Sequence, residues 1–116
     1  MTGRRIKRYA VTNEIPCAYC GQLITYDNVS IDHVIPRSIV DFSTDLNYIV
    51  CCRTCNSAKS SKSLEEYIIE DLDRLINVRR YLKSIEGYTF FNRKEGQWTD
   101  YSEYLKSTYK ILKCKR

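Results

Sequence analysis

Two Cys-x-x-Cys pairs are the residues whose type and spacing most directly indicate chemistry in this chain. Cys17 and Cys20 form the first pair, and Cys52 and Cys55 form the second. This spacing aims two sulfurs at one point, so two pairs can build the tetrahedral four-thiolate site of structural zinc. About 30 residues separate the pairs, against roughly 15–20 in a common zinc ribbon, which predicts a structured insert between them. The alternative, four unrelated buried thiols, requires two coincidences in a short chain.

The residues around the second half of this insert suggest a further metal. Asp32 directly precedes His33, the single histidine of the chain, and Asn56 follows the second pair. Carboxylate and amide oxygens suit Mg²⁺ or Mn²⁺, and imidazole, with an ordinary pKa of about 6.5, can accept a proton at neutral pH. Taken singly, His33 could be a structural side chain and Asn56 a helix cap. Together they indicate a candidate catalytic site.

The other cysteines, Cys51 and Cys114, have no partner at this spacing, and we expect them to be plain thiols. The N-terminus lacks the apolar region of a secretory signal, and no stretch approaches the ~20 apolar residues that cross a bilayer. We therefore expect one soluble, cytoplasmic domain without a membrane partner, in which cysteines bind metal or stay reduced.

Positive charge gathers at the two ends of the chain, whose formal net charge is +5. Tyrosines alternate with these bases, which suits a nucleic-acid backbone, although solvated tails would look the same. The terminal bases are Arg4, Arg5, Lys7, Arg8, Lys106, Lys110, Lys113, Lys115 and Arg116. Four bases flank the candidate site and are either phosphate contacts or solvated charges: Arg37, Arg53, Lys59 and Lys62.

Two strands and a helix should position the residues of the candidate site. Residues 1–16 are expected to be a basic, irregular lead-in. β-branched residues predict a strand over 29–35 that ends at Pro36, and a second over 48–52, joined as a hairpin by a long connection. A helix should begin at about Cys55 or Asn56.

The C-terminal half is predicted to be helical. Ser63 and Glu66 form a capping-box pattern ahead of apolar residues spaced by three or four, which predicts one amphipathic helix of about 20 residues over 64–85. Its apolar stripe is either core or a dimer face. Residues 88–98 are ambiguous, and Asp100 with Glu103 could cap a last helix.

The combined pattern resembles the zinc-stabilised HNH nucleases, whose core is a ββα-metal finger. The resemblance covers residues 17–59, over a third of the chain. The third motif position is often histidine in that family, whereas here it is Asn56, as in the Asp-His-Asn variety found among phage junction-resolving enzymes. The residues that carry the resemblance are Cys17-x-x-Cys20, Asp32-His33-x-x-Pro36, Asn47 and Cys52-x-x-Cys55-Asn56-x-x-Lys59.

The resemblance implies an α+β fold: a small zinc-clamped ββα-metal finger over residues 17–62, followed by two helices in 63–116 that extend the same domain. It implies metal-dependent hydrolysis of DNA, with His33 as the general base and Asp32 and Asn56 holding Mg²⁺ or Mn²⁺. Asn47 would hold the loop and orient the base. The four paired cysteines would bind structural zinc.

Two other functions fit the same residues. One is a non-catalytic zinc ribbon that binds nucleic acid, and the other is an interaction module that uses the helix over 64–85. For a nuclease, one site cuts one strand, so double-strand cleavage would need two copies and makes a homodimer an expected partner. A compact nuclease of this kind would suit a phage or mobile element.

Overall fold

The structure is a computed structural model that describes residues 3–40 and 45–114, without the side chains of Asp45 and Cys114. Within those ranges the chain forms six α-helices and two antiparallel hairpins, and four cysteines cluster together. The predicted α+β class is therefore confirmed, with a ββα unit around the clustered thiols. None of the helices in the described ranges is long and apolar enough to cross a bilayer.

The hairpin at the centre of the fold is formed by β1 (Val29–His33) and β2 (Tyr48–Cys52), paired antiparallel with His33 opposite Tyr48. The predicted second strand is confirmed to the residue. The first ends two residues earlier than expected, because the side-chain amide of Asn47 takes both the N–H and the C=O of Ile35. Those two groups are then unavailable to a ladder.

Helix α2 (Arg53–Lys59) follows β2 directly and completes the ββα unit by packing on both strands. It begins earlier than the predicted start at Cys55 or Asn56, because Cys52 is its N-cap, with Sγ accepting from the backbone N–H of Cys55. Sulfur is not among the usual capping atoms, so the sequence pattern gave no signal for this start.

The expectation that residues 1–16 are irregular is wrong for Gly3–Thr12, which form helix α1. The helix packs on the hairpin, and its Ala10 is fully buried. Ile6 and Ala10 lie four residues apart, a helical signal that the run of arginines and lysines obscured. The helix ends where Asn13 bonds the carbonyl of Tyr9 through both its backbone and its side-chain amide.

The single helix expected over 64–85 is two helices, α3 (Leu64–Glu70) and α4 (Asp73–Ser84). The capping box of Ser63 and Glu66 is confirmed. Asp71 breaks the helix in an extended conformation, and its carboxylate accepts from the backbone N–H of Asp73. Such local bonds compete with a continuous helix. The stripe is mainly core, since these side chains are buried: Leu64, Tyr67, Ile68, Leu75, Val78 and Leu82.

The segment 88–98, left ambiguous by its sequence, begins a second hairpin of β3 (Thr89–Asn92) and β4 (Gln97–Asp100). The expected last helix follows it in two pieces, α5 (Tyr101–Tyr104) and α6 (Lys106–Cys114). Asp100 is the N-cap residue, as predicted, although its side chain makes no capping bond. The extension therefore contains four helices and a hairpin instead of two helices, while the division into 1–16, 17–62 and 63–116 stays a prediction.

Candidate active site and metal centre

The structure brings the four paired thiols to one point. The Sγ atoms of Cys17, Cys20, Cys52 and Cys55 all lie within 4.8 Å of one another, and those of Cys20 and Cys52 are 3.9 Å apart. A tetrahedral zinc with Zn–S of about 2.3 Å has S–S edges of about 3.8 Å. The donor set and its spacing therefore fit a four-thiolate metal site. Cys51 is fully buried and outside this cluster, as predicted, and the side chain of Cys114 lies outside the described residues.

Backbone amides support the metal site from both turns. The N–H groups of Tyr19 and Cys20 donate to Sγ of Cys17 at 3.4 and 3.5 Å, and that of Cys55 donates to Cys52. Burial raises the pKa of Cys17, but backbone hydrogen bonds outweigh it and hold that pKa below its usual value. Gly21 adopts φ +78 immediately after the first pair, a backbone conformation that glycine enters without strain.

Tyr19, between the first two cysteines, connects the thiol cluster to Asp32. Its hydroxyl donates to Oδ2 of Asp32 at 2.5 Å, and the ring is fully buried. Burial raises the pKa of Tyr19 well above 10.0, and the Asp32 charge raises it further, so the phenol remains a donor. The sequence reading missed Tyr19. Its signal was a large polar aromatic residue inside a knuckle, which has to find a buried partner.

Lys59 also binds Asp32, with Nζ 3.0 Å from the same Oδ2. The Lys59 side chain is only 4 % exposed. The expected phosphate contact of Lys59 stays a prediction, while its ammonium faces the Asp32 carboxylate. The reason is geometric: Lys59 ends α2 on the side of that helix that packs on β1.

Asn56 lies one turn before Lys59 on α2 and reaches the same face of β1. Its amide nitrogen donates to Oγ of Ser30 at 2.7 Å. Ser30 and Asp32 are two apart on a strand and therefore share a face, and Asn56 and Lys59 are three apart on a helix and therefore adjacent. The structure thus brings Asn56 and Asp32, the two predicted oxygen ligands, to one interface between α2 and β1.

This interface fits a hard divalent cation by its donor chemistry, since it presents a carboxylate and an amide oxygen. It also already holds a cationic group, the ammonium of Lys59, on Asp32. A divalent ion would have to share Oδ2 with Lys59 or displace it. Among the described residues, the only group of three or more His, Cys, Asp and Glu side chains placed to bind metal is the four-thiol cluster.

His33 ends β1 with its ring on the opposite face from Asp32. It packs edge-on against Tyr48, with ring centroids 4.9 Å apart. Its Nε2 is buried and has no hydrogen-bond partner among the described residues, a state that costs about 1–3 kcal/mol unless a ligand or water satisfies it. Burial lowers the pKa of His33 and so does Arg37, against a smaller opposing effect of Asp32. The imidazole is therefore held toward its neutral form.

Asn47 stands where it fixes the loop after β1. Its amide donates to the carbonyl of Ile35 at 2.9 Å and accepts from the N–H of the same residue at 2.8 Å. Its own carbonyl accepts from the N–H of Val34. Two side-chain hydrogen bonds and one backbone hydrogen bond of the fully buried Asn47 therefore tie the end of β1 to the start of β2, close to His33.

The other three predicted phosphate contacts differ in their surroundings. Arg37 and Arg53 are exposed and line a groove that His33 also lines. Lys62 lines a separate cleft with Asp32 and His33, and its ammonium pairs with Glu70 at 2.5 Å. Arg37, Arg53 and His33 therefore line one groove, whereas Lys62 lines a second cleft that His33 also borders.

The sequence model of a family described as HNH endonuclease matches residues 17–72, a little under half of the chain. The matched segment contains all four clustered cysteines, the hairpin, α2 and α3. The resemblance to HNH endonucleases that the sequence carries is thereby confirmed.

A curated relative is similar to part of this chain. Over 46 residues, 39 % of this chain, the sequence is 39 % identical to the CRISPR-associated endonuclease Cas9 of Corynebacterium diphtheriae. The aligned part covers 4 % of that protein. The similarity is therefore to a small segment of a much larger endonuclease.

Proposed function

We propose, from the match of residues 17–72 to the HNH endonuclease family, that this chain is a metal-dependent endonuclease that hydrolyses DNA phosphodiester bonds. The observation that carries the proposal is the imidazole of His33, whose Nε2 is buried without a partner among the described residues. A buried nitrogen acceptor at the edge of a basic groove suits a group that receives a proton from a bound water.

In the proposed reaction, Nε2 of His33 takes a proton from water as the water oxygen attacks phosphorus. The new P–O bond forms as the bond from phosphorus to the 3′ oxygen breaks, and the leaving oxygen is protonated from solvent. Asn47 positions His33 by fixing the loop that follows it. Asp32 and Asn56 would hold Mg²⁺ or Mn²⁺, which when bound would supply Lewis-acid stabilisation of the leaving oxygen.

The proposed structural zinc is held by Cys17, Cys20, Cys52 and Cys55, whose clustering supports this assignment. Structural zinc contributes about 10–16 kcal/mol to the folding of small zinc-binding peptides. Through Tyr19, the same turn that binds zinc also holds Asp32. We therefore expect loss of zinc to unfold the domain and to disrupt the candidate active site.

The proposed substrate is DNA, bound through its phosphates by Arg37 and Arg53. Both side chains are exposed and line the groove beside His33. One such site hydrolyses one strand, so cutting both strands would require two copies of the chain.

One observation favours a second candidate, a zinc-ribbon module that binds nucleic acid without cutting it. Asp32 is already neutralised by Lys59 and bonded to Tyr19, as a purely structural buried carboxylate would be. The two functions predict different products. Zinc-loaded protein incubated with supercoiled plasmid and Mg²⁺ or Mn²⁺ should yield nicked or linear DNA if it is a nuclease. Intact plasmid that is nevertheless retarded in a gel would support the binding module.

A further inference from the structure

A groove of about 620 Å³ lies between α1 and the face of the first hairpin that carries His33. Resting on the proposed function, we propose that this groove binds the phosphate backbone of one DNA strand and that α1 is its second wall. The described residues that line it include five bases and no carboxylate. The five bases are Arg4, Lys7, Arg8, Arg37 and Arg53.

Helix α1 places its bases in the groove through its own periodicity. Arg4, Lys7 and Arg8 are spaced by three and four residues, so they share one face of the helix. All three side chains are exposed. The helix is held against the hairpin by other residues, with Ala10 fully buried and Gly3 directly beside Ile31. The basic face is therefore a fixed surface.

The hairpin side of the groove joins this surface to the candidate active site. Arg37 follows β1 and Arg53 begins α2, so bases stand on both sides of His33 along the chain. Tyr48, which packs against His33, lines the groove as well. A strand bound along these bases would bring a phosphate to the His33 imidazole.

Charge complementarity identifies the occupant as a polyanion. In the part of the chain that the structure describes, the salt bridges join Asp32 to Lys59, Glu70 to Lys62 and Arg74, and Glu103 to Lys106. None neutralises a base of the groove. A row of cations that no described carboxylate neutralises, set in a concave surface, raises the local potential and attracts phosphates. Because α1 precedes residue 17, this wall is an addition to the segment that matches the HNH family.

The test is DNA binding by the zinc-loaded full chain without added divalent metal, so that the readout does not depend on cleavage. Fluorescence anisotropy of a labelled duplex, and of one of its single strands, would be measured over a range of salt concentrations. The test variant is Arg4→Ala/Lys7→Ala/Arg8→Ala. The matched control, Arg79→Ala/Arg80→Ala/Lys83→Ala, removes the same charge from exposed positions of α4 outside the groove.

The α1 variant should lower the slope of log K against log[salt] by about 0.9 per lost contact on duplex, or about 0.7 on single strands. At moderate salt its affinity should fall by at least about tenfold, with a much smaller change in the control. Equal losses in the two variants, or none, would overturn the proposal. Whichever form of DNA, single strand or duplex, shows the larger change in slope is the form that the groove binds.

A second variant, Arg37→Ala on the opposite wall, keeps the test decisive if the α1 variant does not fold. It should reduce the slope by the amount expected for one lost phosphate contact, and an unchanged slope would overturn the proposal. The outcome is separable from that of the proposed function. A wild-type protein that binds through α1 but never cuts would refute the nuclease alone, and one that cuts without using α1 would refute the groove alone.

Discussion

The hydroxyl of Tyr19 donates to Oδ2 of Asp32 at 2.5 Å, from a position between two cysteines of the thiol cluster. The turn that carries Cys17 and Cys20 and the candidate active site are therefore one hydrogen-bonded unit. Lys59 meets the same oxygen from α2, so Asp32 is held from two directions. A rigid carboxylate of this kind is what a metal-dependent site requires, because its ligands have to be preorganised.

Replacing Tyr19 with phenylalanine should weaken this unit without removing the fold. The change leaves a buried carboxylate oxygen with one fewer donor, which costs about 1–3 kcal/mol. We expect Tyr19→Phe to keep its zinc, to unfold at a lower temperature and to cut DNA more slowly. Thermal unfolding and a cleavage assay check this against Tyr88→Phe, a change at an exposed tyrosine. If the two variants match in both measurements, the Tyr19 bond has no role.

Substitution of a clustered thiol should remove the metal, whereas substitution of the neighbouring buried thiol should not. Cys17→Ser takes one ligand from the four-thiol site, so we expect loss of tightly bound zinc and of cooperative unfolding. Cys51→Ala, one residue from a ligand but outside the cluster, should retain one zinc per chain. Elemental analysis of purified protein measures both. Full zinc occupancy in Cys17→Ser would contradict the four-thiolate site.

Truncation of Asn47 should destabilise the loop beside His33. Asn47→Ala leaves the buried N–H and C=O of Ile35 without their partners, so we expect a loss of about 2–5 kcal/mol in the free energy of unfolding. Asn13→Ala is the control, because the exposed Asn13 side chain bonds only the carbonyl of Tyr9. Urea unfolding measures both. A similar, small loss in each variant would show that Asn47 does not hold the loop.

Lys59 should compete with a divalent cation for Asp32. At a separation of about 4 Å and an effective dielectric constant near 20, the interaction of two unit charges amounts to about 4 kcal/mol, before the cost of removing them from water is subtracted. We therefore expect Lys59→Gln to bind Mn²⁺ at least about tenfold more tightly, although the variant should be less stable because a buried carboxylate loses its partner.

An electron paramagnetic resonance titration of zinc-loaded protein with Mn²⁺ measures this affinity without relying on activity. Lys62→Gln is the matched control, since its ammonium pairs with Glu70 instead. Identical Mn²⁺ affinities in the two variants would show that Lys59 and the ion do not share a site.

The parts of the fold that the sequence predicted are those set by local signals. The strand Tyr48–Cys52 and the capping box at Ser63 follow from nearby residue types and were located to the residue. The break at Asp71 and the helix Gly3–Thr12 were missed. The break rests on a local hydrogen bond from Asp73 to Asp71 that competes with a continuous helix, whereas the helix Gly3–Thr12 packs against the distant hairpin.

The features of the candidate site likewise divide into those that the sequence predicted and those that it did not. The spacing of the two Cys-x-x-Cys pairs predicted the cluster of four cysteines, whereas the position of Asn47 at the loop was implied by the resemblance to HNH nucleases. The sequence did not identify Asp32 as the partner of Lys59 or of Tyr19, because both contacts exist only after α2 and the knuckle pack on the hairpin. Contacts between side chains on different elements depend on tertiary packing, which local sequence patterns do not predict.

The most direct test of the proposed function is the rate at which a saturated DNA complex is cut by wild type and by His33→Ala, each zinc-loaded and supplied with Mg²⁺ or Mn²⁺. Saturation separates the chemical step from binding, which phosphate contacts dominate. Loss of the general base should slow cleavage by about 10²–10⁴-fold, with zinc content, unfolding temperature and DNA affinity close to those of wild type. Equal cleavage rates in the two proteins would contradict the assignment of His33 as the base.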